Sequence, residues 1–154
     1  MTARRGGRRG YRVAVNEDAE AFLRRAIALA AEARRAGDPP FGSLLVGPDG
    51  AVLAEERNTS IADDDITAHP ELKLARWAAR RLDAETAAAT TMYTSCQPCP
   101  MCTGAIARSG LGRVVFALSG EQLDALKPGA GWPVVPQDGP ALYDEASAAV
   151  AGYY

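Results

Sequence analysis

The chain contains a single histidine, which opens the segment His69-Pro70-Glu71, thirty residues before the cysteine of Pro98-Cys99-Pro100-Met101-Cys102. If the two segments act jointly, the fold must bring them side by side, and their chemistry argues that it does. One imidazole and two thiolates are three ligands suited to zinc, whereas a structural tetrahedral site usually takes all four from the protein. The fourth position is then open to a water, whose pKa zinc lowers from about 15.7 to about 7. Glu71 is the nearby carboxylate able to move that water's protons. The pattern reads as a catalytic metal site.

Local sequence signals place both segments at helix starts. Pro70 suits a first helical position, where its missing N–H would be unpaired anyway. The apolar spacing of Leu72, Leu74, Ala75, Trp77, Ala78 and Leu82 continues that helix from Pro70 to about Leu82. A second helix runs from Cys99 to about Arg108, putting both thiols at its N-terminus, where the helix dipole favours thiolate. An earlier helix is capped by Asn16 or Asp18, carries Phe22, Ala26, Leu29, Ala30 and Ala33 on one face, and stops at Gly37-Asp38-Pro39-Pro40. Two apolar runs, Gly42 to Val46 and Ala51 to Ala54, flank the turn Gly47-Pro48-Asp49-Gly50 and predict a hairpin.

Thr90 to Thr94 and Gly112 to Leu118 read as strands, Glu121 to Leu126 as a short helix, and Ala141 to Val150 as a terminal helix. Lys127 to Pro140 reads as a loop and the alanine-rich Ala84 to Ala89 as a helix end and loop. Alternating strands and helices after a hairpin predict a mixed sheet with helices on both faces, the two ligand-bearing helices lying side by side.

With 154 residues the length is that of one domain, expected over residues 13–154 after a disordered basic N-terminus at 1–12. Hydrophobic content of 47% and charged content of 23% are those of a soluble globular protein, and no apolar run reaches the roughly 18 residues of a membrane span. The arginine-glycine start lacks the apolar core of a secretory signal, so a cytoplasmic location is expected. Such a tail can bind RNA, but a net charge of -2 with the tail included leaves the remainder more acidic still, which disfavours nucleic acid. The three cysteines cluster between residues 96 and 102, which excludes a distributed disulfide framework.

Longer stretches resemble the cytidine deaminase-like superfamily, nearest its guanine deaminase, cytosine deaminase and tRNA adenosine deaminase branch. The residues that carry the resemblance are Pro40-Phe41-Gly42, Leu44-Leu45-Val46, Asn58, Thr67-Ala68-His69-Pro70-Glu71, Tyr93 to Cys102, Thr103-Gly104-Ala105-Ile106 and Gly112 to Phe116. The resemblance implies a three-layer α/β/α sandwich with a mixed five-stranded sheet, a homodimer, and hydrolytic deamination of a free guanine- or cytosine-type nucleobase or nucleoside. Position by position, it implies that His69, Cys99 and Cys102 hold one zinc ion per subunit. Hydroxide on that zinc would attack the amino-bearing ring carbon, while Glu71 shuttles protons and ammonia is released. Asn58 would hold the base, Phe41 would contact it, and the backbone at Gly42 and Cys99 would line the reaction centre.

Three departures stand out: Pro70 replaces an alanine, Gln97 a frequent glutamate, and Ala107-Arg108 an aromatic or histidine beside the base. Arg108 then becomes a candidate substrate contact, Trp132 a candidate pocket wall, and Asp138 or Asp144 a candidate base-recognising acid. In related guanine deaminases the C-terminal segment closes the partner's site, which suggests a lid or interface role for Tyr153-Tyr154.

Other readings compete. Cys96 forms a second C-x-x-C with Cys99, as a closed Cys3His structural zinc or a redox pair would require. Cys96 ends a strand, however, and a closed site leaves Glu71 without a role. A tRNA adenosine deaminase would bind RNA in a salt-dependent way, and a non-catalytic zinc-stabilised module would show four protein ligands and no water.

Overall fold

The computed structural model describes residues 16–129 and 131–154. The expected disordered tail at 1–12, with its arginines, lies outside the described residues. Helix α1 (Glu17–Arg35) starts at Asn16, whose side chain accepts a hydrogen bond from the Ala19 N–H at 2.9 Å. Its buried stripe keeps Ala26, Leu29, Ala30 and Ala33 of the expected face and adds Ala19 and Leu23, while Phe22 is half-buried. The predicted hairpin is β1 (Gly42–Val46) and β2 (Val52–Arg57), paired antiparallel. After it come α2 (Pro70–Arg81), α3 (Ala84–Ala88), β3 (Thr91–Cys96), α4 (Pro100–Ser109), β4 (Arg113–Leu118), α5 (Gly120–Leu126) and α6 (Tyr143–Val150).

The strand order is β2-β1-β3-β4. Strand β1 runs antiparallel to β3, with Ser43 opposite Thr94, and β3 runs parallel to β4 through the α4 crossover. Because successive strand side chains point to opposite faces, β1 supplies two cores. Leu44 and Val46 meet α1 at Ala26 and Phe22, together with Tyr93 of β3. Leu45 and Met92 face the other way, onto Leu74, Ala75 and Ala78 of α2 and Ile106 of α4. The result is the expected three-layer α/β/α arrangement, with α2 against α4. Leu44, Leu45, Leu74 and Met92 are fully buried, each contributing about 1.5–3 kcal/mol of hydrophobic stabilisation.

Gly42 is where α1 presses closest. A Cβ there would stand 2.5 Å from the Ala26 carbonyl oxygen and 2.6 Å from the Ala30 nitrogen, so only glycine lets the helix lie this near the sheet.

Three expectations change. Among the described residues the sheet has four strands, not five. The segment after α5 contains Pro128, Pro133, Pro136 and Pro140, and each lacks the N–H that a ladder needs. Val134 and Val135, between two of these prolines, are exposed and unpaired in any strand, leaving β4 as an edge. The alanine-rich stretch is a separate short helix, α3, because the Asp83 side chain caps it by accepting from the Thr86 N–H at 2.7 Å. Strand β3 extends to Cys96, and α4 begins at Pro100 with Cys99 as its N-cap residue. No described helix is long and apolar enough to cross a membrane.

Candidate metal and proton-transfer site

His69 and Cys99 occupy equivalent places in the two packed helices. Each is an N-cap residue in extended conformation, each is followed by proline, and neither uses its side chain to cap the helix. Proline fixes the first helical turn without needing a donor, which leaves the imidazole and thiol free to face each other. His69 Nδ1 lies 3.7 Å from Cys99 Sγ and 3.5 Å from Cys102 Sγ. The donor atoms of these three residues all fall within 4.8 Å of one another.

These separations fit zinc. Bonds of about 2.3 Å to sulfur and about 2.0–2.1 Å to nitrogen in a tetrahedron put sulfur and nitrogen about 3.6 Å apart. Cys96 is not in the donor cluster among the described residues. It ends β3, and burial pushes its thiol up. Cys99 and Cys102 share a proton: the hydrogen bond from Cys102 pulls Cys99 down to about 4, and the same bond raises Cys102. His69 is raised, chiefly by its hydrogen bond with Cys99.

Glu71 lies in the first turn of α2 and is 5% exposed. Burial raises its carboxyl above the usual range, an effect partly opposed by its own backbone N–H and by the Thr94 hydroxyl. Its two oxygens have different neighbours: Oε1 accepts from Thr94 Oγ1 at 2.9 Å, while Oε2 lies 3.8 Å from Cys102 Sγ. The metal donors and the carboxylate thus share one side of the sheet.

A cavity of about 290 Å³ opens over them, with His69, Glu71 and Cys99 in its lining. Of the residues expected to contact substrate, Phe41 and Trp132 line this cavity, whereas Asn58, Gly42 and Arg108 do not. Asn58 is buried beside it, its N–H donating to the Phe41 carbonyl at 2.9 Å and its Oδ1 accepting from the Ser60 N–H and hydroxyl. Arg108 lies exposed on α4, and Asp138 and Asp144 are exposed outside the cavity.

Besides Glu71, the cavity is lined by the acid Asp124 of α5, accompanied by Lys127, whose ammonium stands 5.9 Å from the Trp132 ring centroid. Sequence reasoning passed over both, although an acid and a base three residues apart, beside a proline- and glycine-rich loop, were a usable signal. Gln97, one of the departures, serves to hold the site together, since its Oε1 accepts from the Gly120 N–H at 2.9 Å and ties the cysteine loop to α5. Tyr153 and Tyr154 form an exposed edge-to-face pair away from this cavity.

The model of the cytidine and deoxycytidylate deaminase zinc-binding region matches residues 16–118, more than half of the sequence and all of the donor cluster. The chain belongs to this deaminase family. Zinc is the family's metal, and the donor geometry fits it.

Among individual relatives, the guanine deaminase of Bacillus subtilis is 42% identical over 111 residues, covering 71% of this chain and 69% of that protein. A probable cytosine deaminase of Schizosaccharomyces pombe is 38% identical over 112 residues, covering 72% of this chain and 67% of that protein. The tRNA(Ile)-lysidine synthase of Deinococcus deserti is 35% identical over 121 residues, 77% of this chain, but the match spans only 23% of that longer protein. The X-ray structure of the Bacillus subtilis guanine deaminase superposes with a TM-score of 0.69 at 30% identity, covering 88% of this chain and 94% of that one.

Proposed function

We propose that this member of the family is a zinc-dependent hydrolytic deaminase of a free nucleobase or nucleoside, guanine- or cytosine-type, with Glu71 as its proton carrier. The observation that carries the reading is a buried carboxylate beside a three-donor metal cluster at one cavity. Three donors leave a position for water, the arrangement of catalytic rather than structural zinc. The separation of Cys96 from the cluster supports the open site. At about 290 Å³ the cavity lies near the lower end of small-molecule sites, which run to roughly 300–1,000 Å³, and suits a single base or nucleoside.

When bound by His69, Cys99 and Cys102, zinc lowers the pKa of a coordinated water to about 7 and supplies the hydrolytic nucleophile. The chain's own residues do the rest. Glu71 takes a proton from the water as its oxygen adds to the amino-bearing ring carbon, and passes it to the ring nitrogen. It then moves a second proton to the amino group, the carbon–nitrogen bond breaks, ammonia leaves, and the ring carbon becomes a carbonyl. Burial raises the Glu71 carboxyl above its usual range, the direction that suits a group that must both take and give protons. Phe41 and Trp132 supply apolar walls for a ring, Asp124 an acceptor for its N–H groups, and Asn58 remains the candidate base contact beside Phe41.

A homodimer is part of the reading. Residues after α5 expose Trp132, Val134, Val135, Leu142, Tyr143 and Tyr154 together, an amount of apolar surface that a second copy would cover. A cytoplasmic location agrees with three free cysteines.

The test is ammonia release from a panel of guanine, guanosine, cytosine, cytidine, adenine and adenosine, with Glu71→Gln as the blank. Turnover of guanine- or cytosine-type members, lowered at least about a hundredfold by Glu71→Gln with zinc retained, is the expected result. Silence across the panel in zinc-loaded protein would refute it and turn attention to tRNA.

A further inference from the structure

The layer between β1 and α2 holds two buried hydroxyls beside apolar core residues. Ser43 and Thr94 are opposite one another in the antiparallel β1–β3 pair, and both are completely buried. Their neighbours on the same face, Leu45 and Met92, are core residues. Valine has the shape of threonine and is a better strand former in an apolar setting, so packing alone does not call for hydroxyls here.

The hydrogen-bond directions give the reason. Ser43 Oγ donates to Thr94 Oγ1 at 2.7 Å. The single Thr94 proton must then go to another acceptor, and Glu71 Oε1 at 2.9 Å is far better placed than the Gly42 carbonyl at 3.5 Å. The chain Ser43 to Thr94 to Glu71 therefore points one way, with the carboxylate as its terminus. Glu71 Oε2 is left toward Cys102 Sγ at 3.8 Å and the metal donors. A glutamate's terminal torsion is broad and roughly two-fold, so without an anchor its two oxygens exchange freely.

We propose that Thr94, oriented by Ser43, is a positioning residue that fixes Glu71 Oε1 and so keeps Oε2 turned to the reacting groups. The proposal rests on the reading of Glu71 as proton carrier. Thr94 does not line the cavity, so its effect falls on turnover and not on substrate binding.

The experiment uses the full, zinc-loaded chain and the panel substrate with the highest turnover. Thr94→Val lowers kcat by about tenfold or more, the scale for groups that orient a reacting residue from behind, with KM and zinc content unchanged. Thr94→Ser, which keeps the hydroxyl, recovers most of the loss. Should Thr94→Val fold poorly because it strands the Ser43 hydroxyl, the double variant Ser43→Ala/Thr94→Val removes both partners at little cost in stability and shows the same fall in kcat.

A kcat within about twofold of wild type in the valine variant, while Glu71→Gln remains about a hundredfold down, overturns the role of Thr94 alone. A loss expressed only in KM, or accompanied by loss of zinc, overturns it too. A near-normal rate for Glu71→Gln overturns the reading of Glu71 and this proposal with it.

Discussion

Replacing Gly42 by alanine adds one methyl group at the tightest contact between α1 and the sheet. The new Cβ would stand 2.5 Å from the Ala26 oxygen, 2.5 Å from the Leu29 Cβ and 2.6 Å from the Ala30 nitrogen, where ordinary contacts begin at 3.4 Å. Two of the three atoms are helix backbone, which no rotamer change can move. The helix must retreat by about 1 Å, opening gaps around Ala26 and Leu44 on the same face. Overpacking of this kind costs about 1–3 kcal/mol, and a rigid backbone obstacle places it at about 3 kcal/mol. For a chain of this size each kcal/mol lowers Tm by about 2–4 °C, so Gly42→Ala lowers Tm by about 6–12 °C. Differential scanning calorimetry of the zinc-loaded protein measures it. Gly37→Ala provides the contrast: nothing stands within 4 Å of its Cβ, and only its φ of +91° penalises a side chain. Its cost is therefore about 1 kcal/mol. A Gly42→Ala protein that melts within about 2 °C of wild type, or equal losses in the two variants, would refute a backbone clash as the source of the cost.

Cys99→Ala and Cys102→Ala lose bound zinc, whereas Cys96→Ala retains it; metal analysis after gel filtration distinguishes them, and a metal-free Cys96 variant would restore the closed-site reading. Leu74→Ala, at a fully buried contact between α2 and the sheet, lowers unfolding free energy by about 2–5 kcal/mol in urea melts. The hydrogen bonds from Arg25 hold the Glu55 carboxyl below its usual range. A depressed carboxylate stabilises above its unfolded pKa of about 4.3 and loses that contribution as pH falls through the lower folded value. The stability gap between wild type and Glu55→Gln, below about 1 kcal/mol for a surface pair, should therefore close in acid; a gap that persists at low pH would rule out the ion pair as its source.

The candidate metal ligands were legible in the sequence because their chemistry is local. A histidine before a proline, and two thiols three apart behind another proline, specify helix N-termini whatever else the chain does. The apolar faces of α1 and α2 were legible too from their spacing, whereas β1, buried at every position, has no alternation to say which of its residues faces which helix. Less was legible around the substrate. Asp124 and Lys127 reach the cavity only because α5 folds back beside the cysteine loop, held by Gln97 and Gly120. Asp138 and Asp144, equally acidic in sequence, stay outside. The fifth strand was expected by resemblance, and the four prolines between Lys127 and Leu142 argued against it in the sequence itself.

By itself, then, the amino-acid order determined which atoms could bind a metal, which faces of α1 and α2 were apolar, and where those two helices began. These follow from residue chemistry and from spacings within a few positions of the chain. Only the tertiary structure decided that Thr94 meets Glu71, across 23 residues, and that Ser43 sets the direction of the Thr94 hydroxyl, across 51. A hydroxyl in a strand is neutral in the sequence. It acquires a partner and a direction only when strand register and helix packing place one acceptor within reach and remove water from the rest.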